Sequence, residues 1–357
     1  MSSTTHTYKF TLQLIADILS FNHFIGDLEQ KLNSEQIDWE QFVIVASDHL
    51  VLTTCYCRLK QKNLLDNIPK DLENYLQDIT SINRNRNLAL IEETKTIAEI
   101  FNSNTIEYTF LKGMSFLMGD YYQDIGERMV GDIDILVNEN QIQDAFDLMI
   151  QNGYSIIPSG VRAQFFDHKH LDRLAKEDSL CAVELHKYVL NTSEKNLLKS
   201  SHIFNSKQYI EDIAIPDKSV MFMHNILNFQ INDKGHYYSN ISMRSAYDSI
   251  VLLNTSPKLL NAVENKYTRS YFNLISVFFK DILSGFEPDV AIVKTFEARL
   301  KSPKQNRIRT KRLAIVEYLK LVPSRFILFL KNKDYRVAIY KDRKRILNEL
   351  KSKFMKS

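Results

Sequence analysis

The chain has 357 residues, 44% hydrophobic and 25% charged, with a net charge of +3, which is the composition of a globular protein. This length can bury a large core, either in one catalytic unit with helical additions or in two domains. Three cysteines without a C-x-x-C pattern argue against a disulfide framework or a zinc site, and the lack of a long apolar run argues against a membrane span and favours the cytoplasm.

Helical periodicity dominates the first part of the chain. Helices are predicted over residues 10–21, 39–59 and 70–102, where apolar residues recur at helical spacing. We assign residues 1–104 to an N-terminal helical region that packs beside a sheet. The sequence contains neither a G-x-G-x-x-G fingerprint nor a G-x-x-x-x-G-K-[ST] loop, which argues against a Rossmann or P-loop site.

A strand and a glycine turn come next. Residues 107–111 read as a short apolar strand, Lys112 and Gly113 interrupt it, and residues 114–122 have helical composition. A turn from strand into helix exposes backbone N–H groups that hold phosphate oxygens. Gly113 would let the backbone approach the phosphates, Ser115 would offer a hydroxyl, and Lys112 is placed for a phosphate contact.

A D-x-D strand over residues 132–137 is the most informative element. The period of a strand places Asp132 and Asp134 on one face and the apolar side chains on the other. Burying two carboxylates is costly unless a cation neutralises them, and Mg²⁺ is commonly bound by a few carboxylates together with substrate phosphates. We therefore expect a metal-nucleotide site that uses Mg²⁺ or Mn²⁺. Arg128 is placed either for a γ-phosphate or to pair with Asp124.

A strand–helix–strand unit continues from the D-x-D strand. Asn138 is predicted to cap a helix that Asn152 and Gly153 end. Residues 154–157 return as a strand, and a turn is predicted at residues 158–160.

Residues 180–186 form another strand-like run, in which Glu184 and His186 share a face. Glu184 would supply the third carboxylate that a pair of metal ions normally requires. His186 would either orient Glu184 or touch the substrate. The other histidines singled out have no metal-ligand spacing and are interpreted as core or surface residues: His168, His170, His202, His224 and His236.

Residues 216–302 are predicted to form a helical region that packs on the core. Within a helix over residues 243–253, Arg244, Tyr247 and Asp248 lie three and four residues apart. Arg244 and Asp248 are therefore predicted either to reach into the cleft toward nucleotide or acceptor, or to form a structural ion pair.

The end of the chain is strongly basic. Residues 299–357 contain 19 Lys+Arg and 4 Asp+Glu, a net of +15, so residues 1–298 carry 27 minus 39, or −12. A boundary at Ser302 sets off a basic helical tail, residues 303–357. The tail is either a helical pair with a solvated cationic face or a surface for RNA or an anionic membrane. Its apolar run at residues 326–330 belongs either to an interface or to a core.

Together these segments resemble a known family. The segments L-K-G, Y-Y, a lone arginine, D-I-D-I-L-V, N-G-Y and V-E-L-H resemble the uncharacterised nucleotidyltransferase family of the polymerase-β-like superfamily, most specifically over residues 106–190. The resemblance implies an α+β fold with a polymerase-β-like nucleotidyltransferase core, a small mixed sheet with helices, over residues 105–215, flanked by helical bundles. Gly113 and Ser115 would stand at the superfamily's Gly-Ser turn. Its metal carboxylates would be Asp132, Asp134 and Glu184.

The resemblance implies a Mg-dependent nucleotidyltransferase that moves a nucleoside monophosphate from an NTP to an acceptor and releases pyrophosphate. The acceptor is a protein, an RNA or a small molecule, and the resemblance does not choose among them. The superfamily usually has adjacent Gly and Ser, whereas here Met114 separates Gly113 from Ser115, and the gap from Gly113 to Asp132 is longer. The phosphate-binding geometry of the superfamily therefore does not carry over directly to this turn.

Two other functions fit parts of the pattern. A sugar-nucleotide glycosyltransferase would bind a diphosphate with the D-x-D motif, but it normally carries a larger parallel α/β domain where residues 9–104 read as helical. A non-catalytic binding or antitoxin-like module would keep the fold with a weakened site, and the complete set of carboxylates argues against it.

Overall fold

The computed structural model describes residues 8–21, 25–34, 37–157, 165–166, 168–177, 179–280, 283 and 285–355. Its first part is helical, as the periodicity predicts. Helices that precede the sheet are α1 (Tyr8–Leu19), α2 (Ile25–Ser34), α3 (Trp39–Asp48), α4 (Leu52–Gln61) and α5 (Lys70–Ser103). α1, α3 and α4 pack against one another, and α5 packs along α4, so these helices form a bundle.

The single helix predicted over residues 39–59 is wrong, because the structure has two helices there. Leu50, between α3 and α4, adopts a left-handed φ of 56°. A left-handed residue cannot continue a right-handed helix, and the two helices meet at a bend of 115°. Within the described ranges no single helix is long and apolar enough to cross a membrane; α3 and α4 meet that criterion only as this bent pair.

Helix α5 holds the loop that leads into the D-x-D strand. Asn83 Nδ2 donates to Gly126 O at 2.8 Å and to Arg128 O at 3.1 Å. Asn87 Nδ2 donates to Ile125 O at 2.6 Å and to Arg128 O at 2.8 Å. Because buried carbonyls need donors, these two amides determine where the loop lies on α5 and where it presents Arg128.

Five short strands form a mixed sheet. They are β1 (Tyr108–Phe110), β2 (Ile133–Val137), β3 (Ser155–Ile156), β4 (Leu174–Ala175) and β5 (Val183–His186). Their spatial order is β1-β2-β5-β4-β3, with β2 and β5 parallel and the other neighbours antiparallel. The prediction of an α+β protein with a small mixed sheet is confirmed.

Two helices adjoin these strands: α6 (Lys112–Met118) and α7 (Ile142–Gln151). The cap predicted for α7 is wrong. Its N-cap residue is Gln141, whereas Asn138 Oδ1 accepts a hydrogen bond from the backbone N–H of Asn140 at 3.1 Å. Asn138 thus closes a turn ahead of the helix. The turn predicted at residues 158–160 lies outside the described residues.

Helices return after a hairpin of β6 (Gln208–Ile210) and β7 (Ile213–Ile215). The helices around it are α8 (Ser200–Ser206), α9 (Lys218–Leu227), α10 (Gly235–Tyr238), α11 (Met243–Thr255), α12 (Lys266–Ile275) and α13 (Val290–Leu300). A π-helical turn, Asn228–Asn232, extends α9. One cluster of buried apolar side chains joins the N-terminal bundle, the sheet and helices α9 and α11–α13, so these parts share a core.

The basic tail consists of α14 (Pro303–Lys331), α15 (Lys333–Lys341) and α16 (Arg343–Met355). The apolar run at residues 326–330 does not belong to a core, since Phe326 and Leu330 are 60% and 61% exposed. Tyr335 of α15 is buried, with its ring edge-on to those of Phe165 and Phe166. The tail therefore contacts the rest of the protein through a few side chains and leaves apolar ones in solvent.

Candidate functional site

The parallel pairing of β2 and β5 brings three side chains of the metal-ligand type together. Asp134 lies opposite Glu184, and Leu136 lies opposite His186. Because side chains alternate along a strand, Asp134, Glu184 and His186 project from the same face. Their ligand atoms all lie within 4.8 Å of one another. We call these three residues the acidic cluster.

Asp134 is the buried centre of the acidic cluster. Lys112 Nζ lies 2.5 Å from Asp134 Oδ1, and His186 Nε2 lies 2.8 Å from the same oxygen. Burial works against ionisation, but Lys112 and His186 outweigh it and hold the pKa of the Asp134 carboxyl well below its usual range. Asp134 in turn raises the pKa of Lys112 against the effect of burial. The pair is thus a carboxylate and an ammonium.

Glu184 is also ionised. Burial opposes its charge, but a hydrogen bond from His186 lowers the pKa of the carboxyl below its ordinary value. The His186 Nε2 to Glu184 Oε2 distance is 3.3 Å. With the proton on Nε2, the imidazole donates toward both carboxylates. Of the two roles predicted for His186, its burial at 1% exposure agrees with orientation of the carboxylates.

Asp132 lies at the edge of the acidic cluster. Its carboxylate contacts Arg173 Nη2, and Arg173 Nε lies 3.2 Å from Glu184 Oε1. Burial raises the pKa of Asp132, and Arg173 opposes that rise. The positive charge of Arg173 therefore bridges the carboxylates of Asp132 and Glu184. Asp132 itself is not one of the three residues of the acidic cluster.

A cavity lies between α6, α9 and α11, and Lys112, the partner of Asp134, connects it to the acidic cluster, whose own three residues are not among those that line it. It encloses about 520 Å³, its open mouth included. The predicted site residues that line it are Lys112, Ser115, Arg128, Arg244 and Asp248. Burial, and then the neighbouring Arg128, lower the pKa of Arg244, although a guanidinium remains charged in proteins. Cations that are costly to bury thus face a space next to a pair of carboxylates.

Arg128 is buried and forms an ion pair with Asp248. Its Nη2 and Nε donate to Asp248 Oδ2 and Oδ1 at 2.8 and 3.1 Å. Tyr122 OH donates to the same carboxylate at 2.6 Å. The alternative partner Asp124 is bound by Arg84 at 2.7 Å. The pairing of Arg128 with Asp124 is therefore wrong, and Asp248 pairs with Arg128, not with Arg244 of its own helix.

The turn into α6 differs from the predicted one. The residue with left-handed φ is Lys112, at 50°, and α6 begins there, two residues before the predicted start. Gly113 lies inside the helix, where a Cβ would come within 2.5 Å of Arg128 Nη1 and 2.9 Å of Val130. Its missing side chain thus makes room for these two residues. Ser115 Oγ donates to Lys112 O at 2.8 Å and lines the cavity.

Three basic residues that precede β4 lie near the site: Lys169, His170 and Arg173. Their spacing in the sequence does not indicate this position. Besides Arg173, His170, which the sequence leads us to interpret as a core or surface residue, has its Nε2 4.0 Å from Glu184 Oε2. An isolated antiparallel bridge pairs His170 with His186. Burial, and then Lys112, lower the pKa of Lys169 to about 8. Only strand pairing distant in sequence brings this segment to β5.

Two further residues of the cavity wall were not singled out for the site. Burial, and then Lys112 and Lys169, lower the pKa of His224 to about 3, so its imidazole is neutral. Its Nε2 has no hydrogen-bond partner among the described residues. Asp233 also lines the cavity, and burial raises its pKa. A buried polar atom at a cavity wall is where a ligand would find a hydrogen bond.

Comparison with known protein families gives a match. A family model described as "Uncharacterised nucleotidyltransferase" matches residues 35–262, more than half of the chain. The matched range contains the acidic cluster and the residues that line the cavity, and it ends ahead of the basic tail. No curated protein matches the chain.

Proposed function

Since the chain belongs to the uncharacterised nucleotidyltransferase family, as its motifs indicate, we propose that it transfers a nucleoside monophosphate from an NTP to an acceptor and releases pyrophosphate. One observation carries the proposal: Asp134 and Glu184 face one another across parallel strands, beside a cavity lined by Lys112, Arg128 and Arg244. We assign residues 105–215 to a polymerase-β-like core within this protein.

The residues of the acidic cluster fit Mg²⁺ or Mn²⁺. Asp134 and Glu184 offer oxygen ligands, which both ions prefer, and His186 would hold these carboxylates through its Nε2–H. Asp132 would join them when Arg173 turns to the solvent. A bound divalent cation would offset the charge of the phosphates and polarise the phosphorus–oxygen bonds.

In this proposal the cationic side chains of the site would contact the phosphates of the nucleotide as well as the carboxylates of the protein. Lys112 balances the charge of Asp134 and also lines the cavity, so its side chain would contact a triphosphate bound there. Arg244 and Arg128 would contribute guanidinium donors to the phosphate oxygens, and Ser115 a hydroxyl. Gly113 would act indirectly, by giving Arg128 its position.

The reaction is a displacement at the α-phosphorus. An acceptor oxygen forms a bond to that phosphorus, the bond to the pyrophosphate oxygen breaks, and the acceptor's hydroxyl proton leaves to a base. Asp132 is half-exposed at the edge of the cluster and has a raised pKa, which suits it to take that proton. His186 would keep Asp134 and Glu184 in place, and Arg244 and Asp248 remain candidates for substrate contact. The acceptor would be a protein, an RNA or a small molecule.

The cysteines indicate the redox state of the compartment in which the protein would act. Cys55, Cys57 and Cys181 are free thiols, which suits a reducing compartment, and we propose the cytoplasm.

Calorimetric titration of ATP, GTP, CTP, UTP and a UDP-sugar, each with and without Mg²⁺, tests the proposal. We expect at least one NTP to bind only with Mg²⁺, and Asp134→Asn or Glu184→Gln to weaken that binding at least about tenfold, the equivalent of about 1.4 kcal/mol. Asp78→Asn, on an exposed face of α5, is the matched control and should bind as the wild type does.

The same titration separates the alternatives. Preference for the UDP-sugar would favour a glycosyltransferase, although the described residues of the first 104 form helices and no parallel α/β unit. Absence of metal-dependent binding to every nucleotide would leave a non-catalytic module of the same fold.

A further inference from the structure

Helix α14 of the basic tail packs on the protein with its polar face. Arg309 Nη1 donates to Tyr238 O at 2.8 Å, Tyr237 OH donates to Leu313 O at 3.2 Å, and Tyr238 OH donates to Glu317 Oε2 at 2.9 Å. Arg309, Leu313 and Glu317 are spaced by four residues, which places them on one face of the helix. This face contacts α10, so the orientation of α14 about its own axis is determined.

Over residues 315–330 the opposite face of α14 is apolar and exposed. Its members recur at intervals of four, three, four and four residues: Ile315, Leu319, Val322, Phe326 and Leu330. They are between 42% and 61% exposed. At 3.6 residues per turn, Ile315 and Leu319 lie about 160–200° around the helix from Glu317. We call these five residues the outward stripe, because they point away from the protein.

An amphipathic helix in a globular protein normally buries its apolar stripe. Here the face that packs on α10, over residues 309–317, is polar. The apolar stripe over residues 315–330 is in solvent, along about 22 Å of helix at 1.5 Å per residue. A contiguous exposed apolar surface of this kind indicates a binding surface.

The charge of the tail indicates which partner fits. Residues 303–357 contain 17 Lys+Arg against 4 Asp+Glu, a net of +13. RNA would satisfy the cations but offers no apolar medium for leucine and phenylalanine side chains. A second copy of the tail would cover the stripe but would bring two strongly positive surfaces together. An anionic lipid surface accepts both the cations and the apolar side chains.

We propose that α14 lies on an anionic lipid surface, with the outward stripe in the headgroup–acyl boundary and the tail's lysines and arginines against the headgroups. Glu317, Lys320 and Arg325 interrupt the apolar sequence, which favours a helix in the plane of the surface over one that spans it. This inference concerns a surface outside the catalytic site and does not depend on the proposed nucleotidyl transfer.

Vesicle flotation of the full-length protein tests the inference. Vesicles are either phosphatidylcholine alone or equimolar phosphatidylcholine and phosphatidylglycerol, without nucleotide. We expect binding to the anionic vesicles and little to the neutral ones. Raising the salt concentration from about 0.1 M to about 1 M should weaken binding, since the Debye length falls from about 10 Å to about 3 Å.

Leu319→Ser/Phe326→Ser examines the stripe itself. We expect the variant to bind anionic vesicles at least about tenfold more weakly. Ile44→Ser/Ile82→Ser is the matched control, since these residues are 54% and 67% exposed on α3 and α5, and it should bind as the wild type does. Because all four side chains are exposed, the urea-unfolding curves should match that of the wild type.

Three results would overturn the inference. They are failure to float with anionic vesicles, equal binding by the stripe variant and the wild type, and self-association of the wild type in sedimentation that the stripe variant abolishes. Binding of labelled poly(U) that anionic vesicles do not displace would assign the tail to RNA instead.

Discussion

At the residue scale, the buried pair of Arg128 and Asp248 connects stability to the site. The guanidinium and carboxylate are 9% and 2% exposed, and both line the cavity. In such a pair each charge satisfies the other, and removal of one leaves an uncompensated charge in a poorly solvated place. Any contact of Arg128 with a phosphate therefore has to share donors with Asp248.

We predict that Arg128→Gln lowers the free energy of unfolding by about 3–5 kcal/mol, whereas Arg128→Gln/Asp248→Asn costs less because no charge stays unpaired. Arg84→Gln is the control: its pair with Asp124 is partly exposed and should be worth about 1 kcal/mol or less. Urea unfolding measures all three. If Arg128→Gln lowers the free energy of unfolding no more than Arg84→Gln does, Arg128 has no structural role. Its predicted contact with a phosphate would then be its remaining function.

At the element scale, the fit of α6 against the loop ahead of β2 depends on Gly113. A Cβ there would lie within 3 Å of Arg128 and Val130, whereas a Cβ at Gly131 would meet nothing within 4 Å. We predict that Gly113→Ala destabilises the protein by about 1–3 kcal/mol through overpacking. Gly131→Ala should stay within about 0.5 kcal/mol of the wild type. Equal urea midpoints for the two variants would contradict this account of Gly113.

The break between α3 and α4 gives a pH-dependent contact. His49 follows α3, and its Nδ1 accepts a hydrogen bond from the Met243 N–H at 3.3 Å, at the start of α11. Burial lowers the pKa of His49 to about 4, against the effect of Asp48. Between pH 4 and 6.5 His49 is therefore protonated in the unfolded chain and neutral in the folded protein. The free energy of unfolding consequently falls as the pH falls through this window.

We predict that this histidine accounts for up to about 3 kcal/mol of the loss of stability between pH 7 and pH 4. His49→Gln keeps an acceptor but cannot titrate, so its unfolding free energy should depend less on pH over that range. His202→Gln, at an exposed position, is the control. Urea unfolding at several pH values measures the difference, and parallel curves for wild type and His49→Gln would refute it.

At the scale of the whole molecule, the site joins elements that are far apart in the chain. β2 and β5 supply the acidic cluster, and α6, α9 and α11 line the cavity. A ligand held there binds the folded protein and not the unfolded chain. We predict that a bound Mg-nucleotide at about 100 times its Kd raises the free energy of unfolding by about 2.7 kcal/mol.

Chemical denaturation with and without the Mg-nucleotide chosen by calorimetry checks this expectation. At the same nucleotide concentration Glu184→Gln should lose about half of the stabilisation or more, and Asp78→Asn should retain it. An undiminished stabilisation in Glu184→Gln would indicate that the nucleotide binds elsewhere on the protein.

The sequence by itself determined the elements whose pattern is local. The bounds of α5 and the shared face of Glu184 and His186 follow from the periods of helix and strand. The family follows too, because its motifs are short and contiguous.

Only the tertiary structure decided which side chains meet. The partner of Arg128 lies 120 residues further along the chain. Arg173, His170 and His224 reach the site through strand and helix packing that no spacing records. The break at Leu50 and the outward direction of the stripe on α14 likewise depend on what packs against each helix. Amphipathic periodicity places residues on a common face of a helix or strand. What that face contacts depends on which distant part of the chain packs against it.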